Sequence, residues 1–193
     1  MSPAASGPER YDRTTIGLHW IVAVGVIAQW LGAHAIDLFA KGPPRVDARS
    51  VHILVGVTLL VLMGWRIWWR VRHGMRFAPD QRPGLAVAAR LGHLALYGLL
   101  LTILGLGVLD TWVRGDSIFG LFHIPHLGDL APAGRHAVAE RIVTLHEFAA
   151  NLLLWLATGH AIMAVAHHVW LKDAVLGRML GKRGRWVVMA RDG

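Results

Sequence analysis

Residues 142–171 read IVTLHEFAANLLLWLATGHAIMAVAHHVWL, and no Asp, Glu, Lys or Arg follows Glu147 within them. A bilayer is crossed by roughly 20 mainly apolar residues in one helix. This stretch is long enough, rich in Leu and Ala, and free of sustained period-two alternation, so it reads as a membrane helix rather than a strand. Yet it carries His146, His160, His167 and His168. An ionisable side chain in lipid is costly, and where one persists a function is the first explanation to consider.

Working outward, three further spans are expected, so the helices fall at about 15–38, 50–69, 85–113 and 142–171. The first carries His19, Gln29 and His34, the second His52, the third His93. Ala40-Lys41-Gly42-Pro43-Pro44 breaks the chain between the first two, Pro79 and Pro83 between the next, and Pro125 and Pro132 mark a longer connection before the last. The fold class is all-α: an integral membrane four-helix bundle, one domain over 1–193. The polar N-terminus lacks the apolar core of a cleavable signal peptide, so the first span is expected to direct insertion.

Composition agrees. Of 193 residues 54% are hydrophobic and 17% charged, with a mean hydropathy of +0.45, an apolar balance unusual for a soluble domain. The charge is +8 and the pI about 11.2, but the basic residues flank apolar spans, and no polar domain is left to bind nucleic acid. Fourteen of the 20 Lys and Arg fall at the N-terminus, the middle loop with its helix ends, and the C-terminal tail. The opposite side holds Lys41, Arg45, Arg49, Arg114, Arg135 and Arg141, against seven acids. The excess places both termini in the cytoplasm. Most tryptophans lie near span ends, as an interfacial belt does.

The chain has no cysteine. Disulfides, cysteine-held iron–sulfur clusters, thiolate zinc sites and haem attached through C-x-x-C-H are excluded. Twelve histidines remain. His146 and His160, 14 residues apart, fall within about 40° of one helix face and are separated by roughly 21 Å. Topology gives each a partner at its own depth: His52 near the external start of the second span for His146, and His19 near the cytoplasmic start of the first for His160. Two imidazoles on opposite sides of a porphyrin iron make a six-coordinate haem suited to electron transfer. The competing readings are a hydrogen-bonded core histidine at each position, or zinc, which prefers three or four close ligands. Gly17, Gly56 and Gly159 lie near these histidines and suit either a flat macrocycle or plain helix packing.

Other candidates carry two readings each. His93 is a propionate or quinone contact, or an interfacial residue. His167 and His168 serve a quinone or proton path, or are solvated. Arg13 and Arg90 near the cytoplasmic haem, and Arg49, Ser50 and Arg114 near the external one, are candidates for the propionates; the arginines equally suit topology. His34 is a weaker external candidate, and His123, His126 and His136 read as surface residues of the external loop.

The sequence resembles the bacterial cytochrome b561 family. The resemblance is carried by Arg10-Tyr11-Asp12 with Gly17-Leu18-His19-Trp20; Val51-His52 with Gly56 and Arg66; Gly92-His93-Leu94 with Tyr97; Arg114-Gly115; His146-Glu147 with Asn151; and Gly159-His160 followed by His167-His168 and Lys172-Asp173. It implies two haem b groups held by His19, His160, His52 and His146, exchange of electrons with ubiquinone or another membrane quinone, and residence in the bacterial inner membrane. Superoxide oxidation on the periplasmic side is implied too; by charge alone, Lys41, Arg45, Arg49 and Arg114 on that side are candidates to steer the anion in a salt-dependent way. The alternative is a haem anchor or electron-transfer subunit for a partner dehydrogenase or hydrogenase.

Overall fold

The computed structural model describes residues 11–74, 83–126, 128, 131–170, 172 and 175–181. Four long helices dominate it: α1 (Arg13–Ile36), α2 (Pro43–His73), α3 (Pro83–Arg114) and α4 (Pro132–Val169). A two-stranded hairpin, β1 (Ser117–Ile118) and β2 (Phe122–His123), interrupts the α3–α4 connection, and a short α5 (Val175–Met179) follows α4. All four long helices are apolar enough to cross a membrane. Only 11–17% of their most apolar windows is buried within the protein, so most of this surface needs lipid as its solvent. Arg10, Arg76, Pro79, Arg82, residues 182–193 and the two chain ends lie outside the described residues.

The helices start earlier than the apolar pattern alone suggests. The expected breaker Pro43-Pro44 is the first turn of α2, and Pro132 opens α4. A first-turn residue has no intrahelical partner for its N–H, so proline costs nothing there and its fixed φ favours entry. Arg135, His136 and Arg141, expected in the external loop, therefore lie on α4. At 38 residues α4 is about 57 Å long and outruns a hydrocarbon core of about 30 Å.

Side-chain bonds between helix ends fix an up-down-up-down order. Trp69 Nε1 near the end of α2 donates to Asp12 Oδ1, which caps α1 (3.0 Å). Arg49 near the start of α2 meets Asp110 near the end of α3 (3.1 Å). Trp30 Nε1 on α1 donates to Asn151 Oδ1 on α4 (3.0 Å). One end of the bundle thus holds the start of α1 and the end of α2, and is termed the terminal end; the other holds the hairpin and is termed the hairpin end.

The main apolar core is Val22, Leu59, Met63, Leu100, Ile103, Leu104, Ala149 and Leu153. On α4 it lies between His146 and His160, so packed hydrocarbon separates two polar levels. A smaller cluster of Val113, Ala139 and Ile142 joins α3 and α4 beyond the hairpin-end level.

The hairpin is a structured addition to the all-α plan. Phe119 (φ 51°) and Gly120 (φ 68°) turn it with two successive left-handed residues, the conformation that matches the twist of paired strands. Glycine bears this freely; phenylalanine does not. The Phe119 N–H is held by Ser50 Oγ at 2.8 Å, a tertiary bond that offsets the strain.

Candidate haem site

At the hairpin end, α2 brings His52 and α4 brings His146 face to face. Their ring centroids are 6.4 Å apart, inclined by 68°. At the terminal end, α1 brings His19 and α4 brings His160 to 6.5 Å and 69°. Two metal–imidazole bonds of roughly 2.0–2.1 Å, with roughly 1.1 Å from each nitrogen to its ring centre, would put trans ligands roughly 6.3 Å apart. Both pairs therefore have the span that one iron between two imidazoles requires. The rings of each pair are mutually half-buried on different helices, and they belong to two levels along α4.

The surroundings differ between the levels. At the hairpin-end level, Nδ1 of His52 is buried without a hydrogen bond, and the His146 ring faces the Ile103 backbone on α3. Gln29 Nε2 on α1 donates to the His52 carbonyl at 2.8 Å and closes against Gly56, where a Cβ would come within 3.3 Å of that nitrogen. Gly107 on α3 lets the His146 ring lie against the helix, since a Cβ there would meet Cε1 at 3.3 Å. Beside Gly17 and Gly159, near the other pair, a Cβ would meet nothing within 4 Å.

At the terminal-end level, Arg66 Nη2 lies 2.9 Å from His19 Nδ1, and its guanidinium carbon stands 5.3 Å from the centre of the Tyr97 ring. His93, a third imidazole, packs edge-on against His160 at 5.1 Å, too close for an iron between them. Its Nδ1 lies 2.6 Å from the Ala89 carbonyl one turn back, so the proton sits on Nδ1 and Nε2 is left as an acceptor.

The remaining candidates fall in several places. Arg13 and Arg90 are exposed. Lys41 is exposed in the α1–α2 turn. Arg49 bridges Asp110 (3.1 Å) and Asp116 (3.2 Å), and Arg114 pairs with Asp110 at 2.8 Å. Arg49 and Arg114, both read as steering candidates, are thus matched by two carboxylates, and the cluster carries no net positive field. Burial pushes the Asp116 carboxyl up, against the pull of Arg49. Ser50 is fully buried; its hydroxyl donates to the Val46 carbonyl at 2.7 Å, with the Ser117 carbonyl at 3.3 Å, and accepts from Phe119. It ties the hairpin to α2 and has no spare proton for a propionate. His167 is buried and His168 exposed. His34 caps its own helix through the Trp30 carbonyl (2.8 Å). His123, His126 and His136 are exposed.

Sequence reasoning treated Arg66 as a topology charge and missed its contact with His19. The available signal was its spacing: Arg66 and Arg70 are four apart and Arg66 lies inside an apolar run, so one face of α2 turns inward while carrying charge. Gln29 was seen in its span but given no role.

The prokaryotic cytochrome b561 family model matches residues 10–182. The chain is similar to cytochrome b561 homolog 2 of Escherichia coli (strain K12), 36% identical over 179 residues, covering 91% of this chain and 93% of that protein. It is 31% identical over 180 residues to a probable superoxide oxidase CybB of Yersinia pestis, covering 91% and 98%. It is 32% identical over 183 residues to cytochrome b562 of Cereibacter sphaeroides, covering 90% and 96%. With four membrane-length helices, paired imidazoles and a match spanning nearly the whole chain, the protein belongs to the prokaryotic cytochrome b561 family of membrane haem proteins that transfer electrons.

Proposed function

We propose that this protein carries two haem b groups, one per histidine pair, and transfers electrons across the bilayer between a periplasmic donor and membrane quinone. The observation that carries the reading is the recurrence, at two levels of one helix, of imidazole pairs 6.4 and 6.5 Å apart. Haem, when bound, supplies the one-electron chemistry. His52 with His146, and His19 with His160, would hold the iron of each group, and two imidazoles on one iron would favour electron transfer over oxygen binding. The core between the levels excludes water, and Gln29, Gly56 and Gly107 hold α1, α2 and α3 against the ligand-bearing segments.

Superoxide is the proposed donor. Similarity to the probable superoxide oxidase of Yersinia pestis, at 31% identity, motivates it. Attraction of this anion would rest on exposed Lys41 rather than on the neutralised Arg49–Asp110–Arg114–Asp116 cluster, so a modest, salt-sensitive effect is expected. We place both termini in the cytoplasm and the hairpin end in the periplasm, following the distribution of basic residues.

The experiment is haem stoichiometry and the reduced-minus-oxidised spectrum of purified protein. Wild type should bind two haems per chain. His52→Ala or His146→Ala should each lose one, and His19→Ala or His160→Ala the other, since each axial ligand controls its own iron. A single haem in the wild type, or loss of the same haem in all four variants, would sink the two-site reading. Superoxide decay at the uncatalysed rate with quinone present would remove superoxide as donor, and a stoichiometric dehydrogenase or hydrogenase in the same preparation would favour the anchor reading.

A further inference from the structure

Arg66 presents a chemical conflict whose resolution points to a second binding element. Its guanidinium has five N–H donors and no acceptor, and in this structure Nη2 lies 2.9 Å from His19 Nδ1, so that nitrogen accepts and the imidazole proton sits on Nε2. A neutral imidazole that binds iron through Nε2 must instead carry its proton on Nδ1. A guanidinium cannot face that N–H. The Arg66–His19 bond and ligation of iron by His19 are therefore mutually exclusive, and when the metal is held Arg66 needs another partner.

A narrow cleft of about 10 Å³ lies beside it, enough for about one water until Arg66 moves. It is lined by Thr15, Leu18, Arg66, Trp69, Arg70 and Tyr97. Leu18 adjoins His19 in sequence. Tyr97 contributes a buried hydroxyl beside the guanidinium, and Arg66 already stands over its ring. Half-buried Arg66 and Tyr97, with exposed Arg70 at the rim, are donors a carboxylate takes, and a fork of guanidinium N–H groups suits it better than a point charge does.

We propose that Arg66, with Arg70 and Tyr97, forms an anion site for a propionate carboxylate of the haem held by His19 and His160, and that Arg66 leaves His19 Nδ1 for this carboxylate when the cofactor binds. The inference rests on the two-haem reading above and adds to it a residue that acts through the carboxylate rather than the iron. It puts the half-buried Arg66, in contact with His19, in place of Arg13 and Arg90 as the main cationic contact at this level.

The test is the rate of haem loss to excess apomyoglobin, measured on protein reconstituted with haem or with haem dimethyl ester, in which both carboxylates are neutral. With haem, Arg66→Gln should release one of the two groups about ten-fold faster or more, as loss of a charge-assisted bond does. With the ester, wild type should already be fast and Arg66→Gln should add nothing. Arg66→Lys should fall between wild type and Arg66→Gln. Equal acceleration with haem and ester, or none with haem, overturns the proposal. Unchanged haem loss with a raised KM for a soluble quinone also overturns it and gives the cleft to the quinone headgroup. If Arg66→Gln does not accumulate, the wild-type comparison of haem with its ester decides. A wild type that binds one haem or none defeats the two-haem reading instead, and the ligand variants above detect that separately.

Discussion

At the residue scale, function here depends on single side chains whose surroundings decide what they can do. His19, His93 and His160 are all imidazoles within one level, yet the His19–His160 distance fits a shared iron and the shorter His93–His160 distance does not. Ser50 illustrates the same point from the structural side. A small polar residue near a presumed cofactor level suggested a propionate donor; full burial between α2 and the hairpin makes it a tie instead. Ser50→Ala would remove the acceptor of the Phe119 N–H, at a cost of about 0.5–1.5 kcal/mol. The expected outcome is a lower unfolding midpoint in detergent and faster proteolysis in the hairpin, with the haem spectrum retained. Loss of haem without loss of stability would show that Ser50 acts on the cofactor after all.

At the element scale, the helices are set by their first turns. Asp12 caps α1, accepting from the Thr15 amide at 2.9 Å and hydroxyl at 2.6 Å, and the Trp69 indole joins α2 to the same carboxylate. Burial works to raise the Asp12 pKa, but these donors outweigh it, and the net position is below the ordinary 3.8. A carboxyl lowered on folding stabilises the fold above its unfolded pKa, and that contribution disappears as pH falls through the lower folded value. Asp12→Ala is expected to cost about 1 kcal/mol at neutral pH, the usual worth of such a cap. In thermal unfolding the gap from wild type should narrow as pH drops below 3.8. A gap independent of pH would assign the effect to the hydrogen bonds alone.

At the scale of the whole molecule, orientation in the bilayer decides which histidine pair faces which side of the membrane. Basic residues favour the terminal end on the cytoplasmic side. A C-terminal fusion to green fluorescent protein should fluoresce, and one to alkaline phosphatase should be inactive; a phosphatase fusion truncated in the hairpin should be active. The opposite pattern would move the His52–His146 level to the cytoplasm and exclude a periplasmic donor there.

Sequence by itself determined the span count, the helical class and the histidine pairing. Lipid length, the absence of water for backbone groups and the 3.6-residue period leave little freedom once 142–171 is read. It also carried the family, because spaced His-Trp, His-Glu and His-His elements survive as order along the chain. Only the tertiary structure decided where the helices begin, since a proline reads as a break until it is seen on a first turn. Only it paired Arg49 and Arg114 with Asp110, turning apparent cations into a balanced cluster, and brought Arg66 from α2 onto His19 of α1. Those contacts join residues between 47 and 61 positions apart in all but the Arg114 case, and no local period encodes which side chain a neighbouring helix will present.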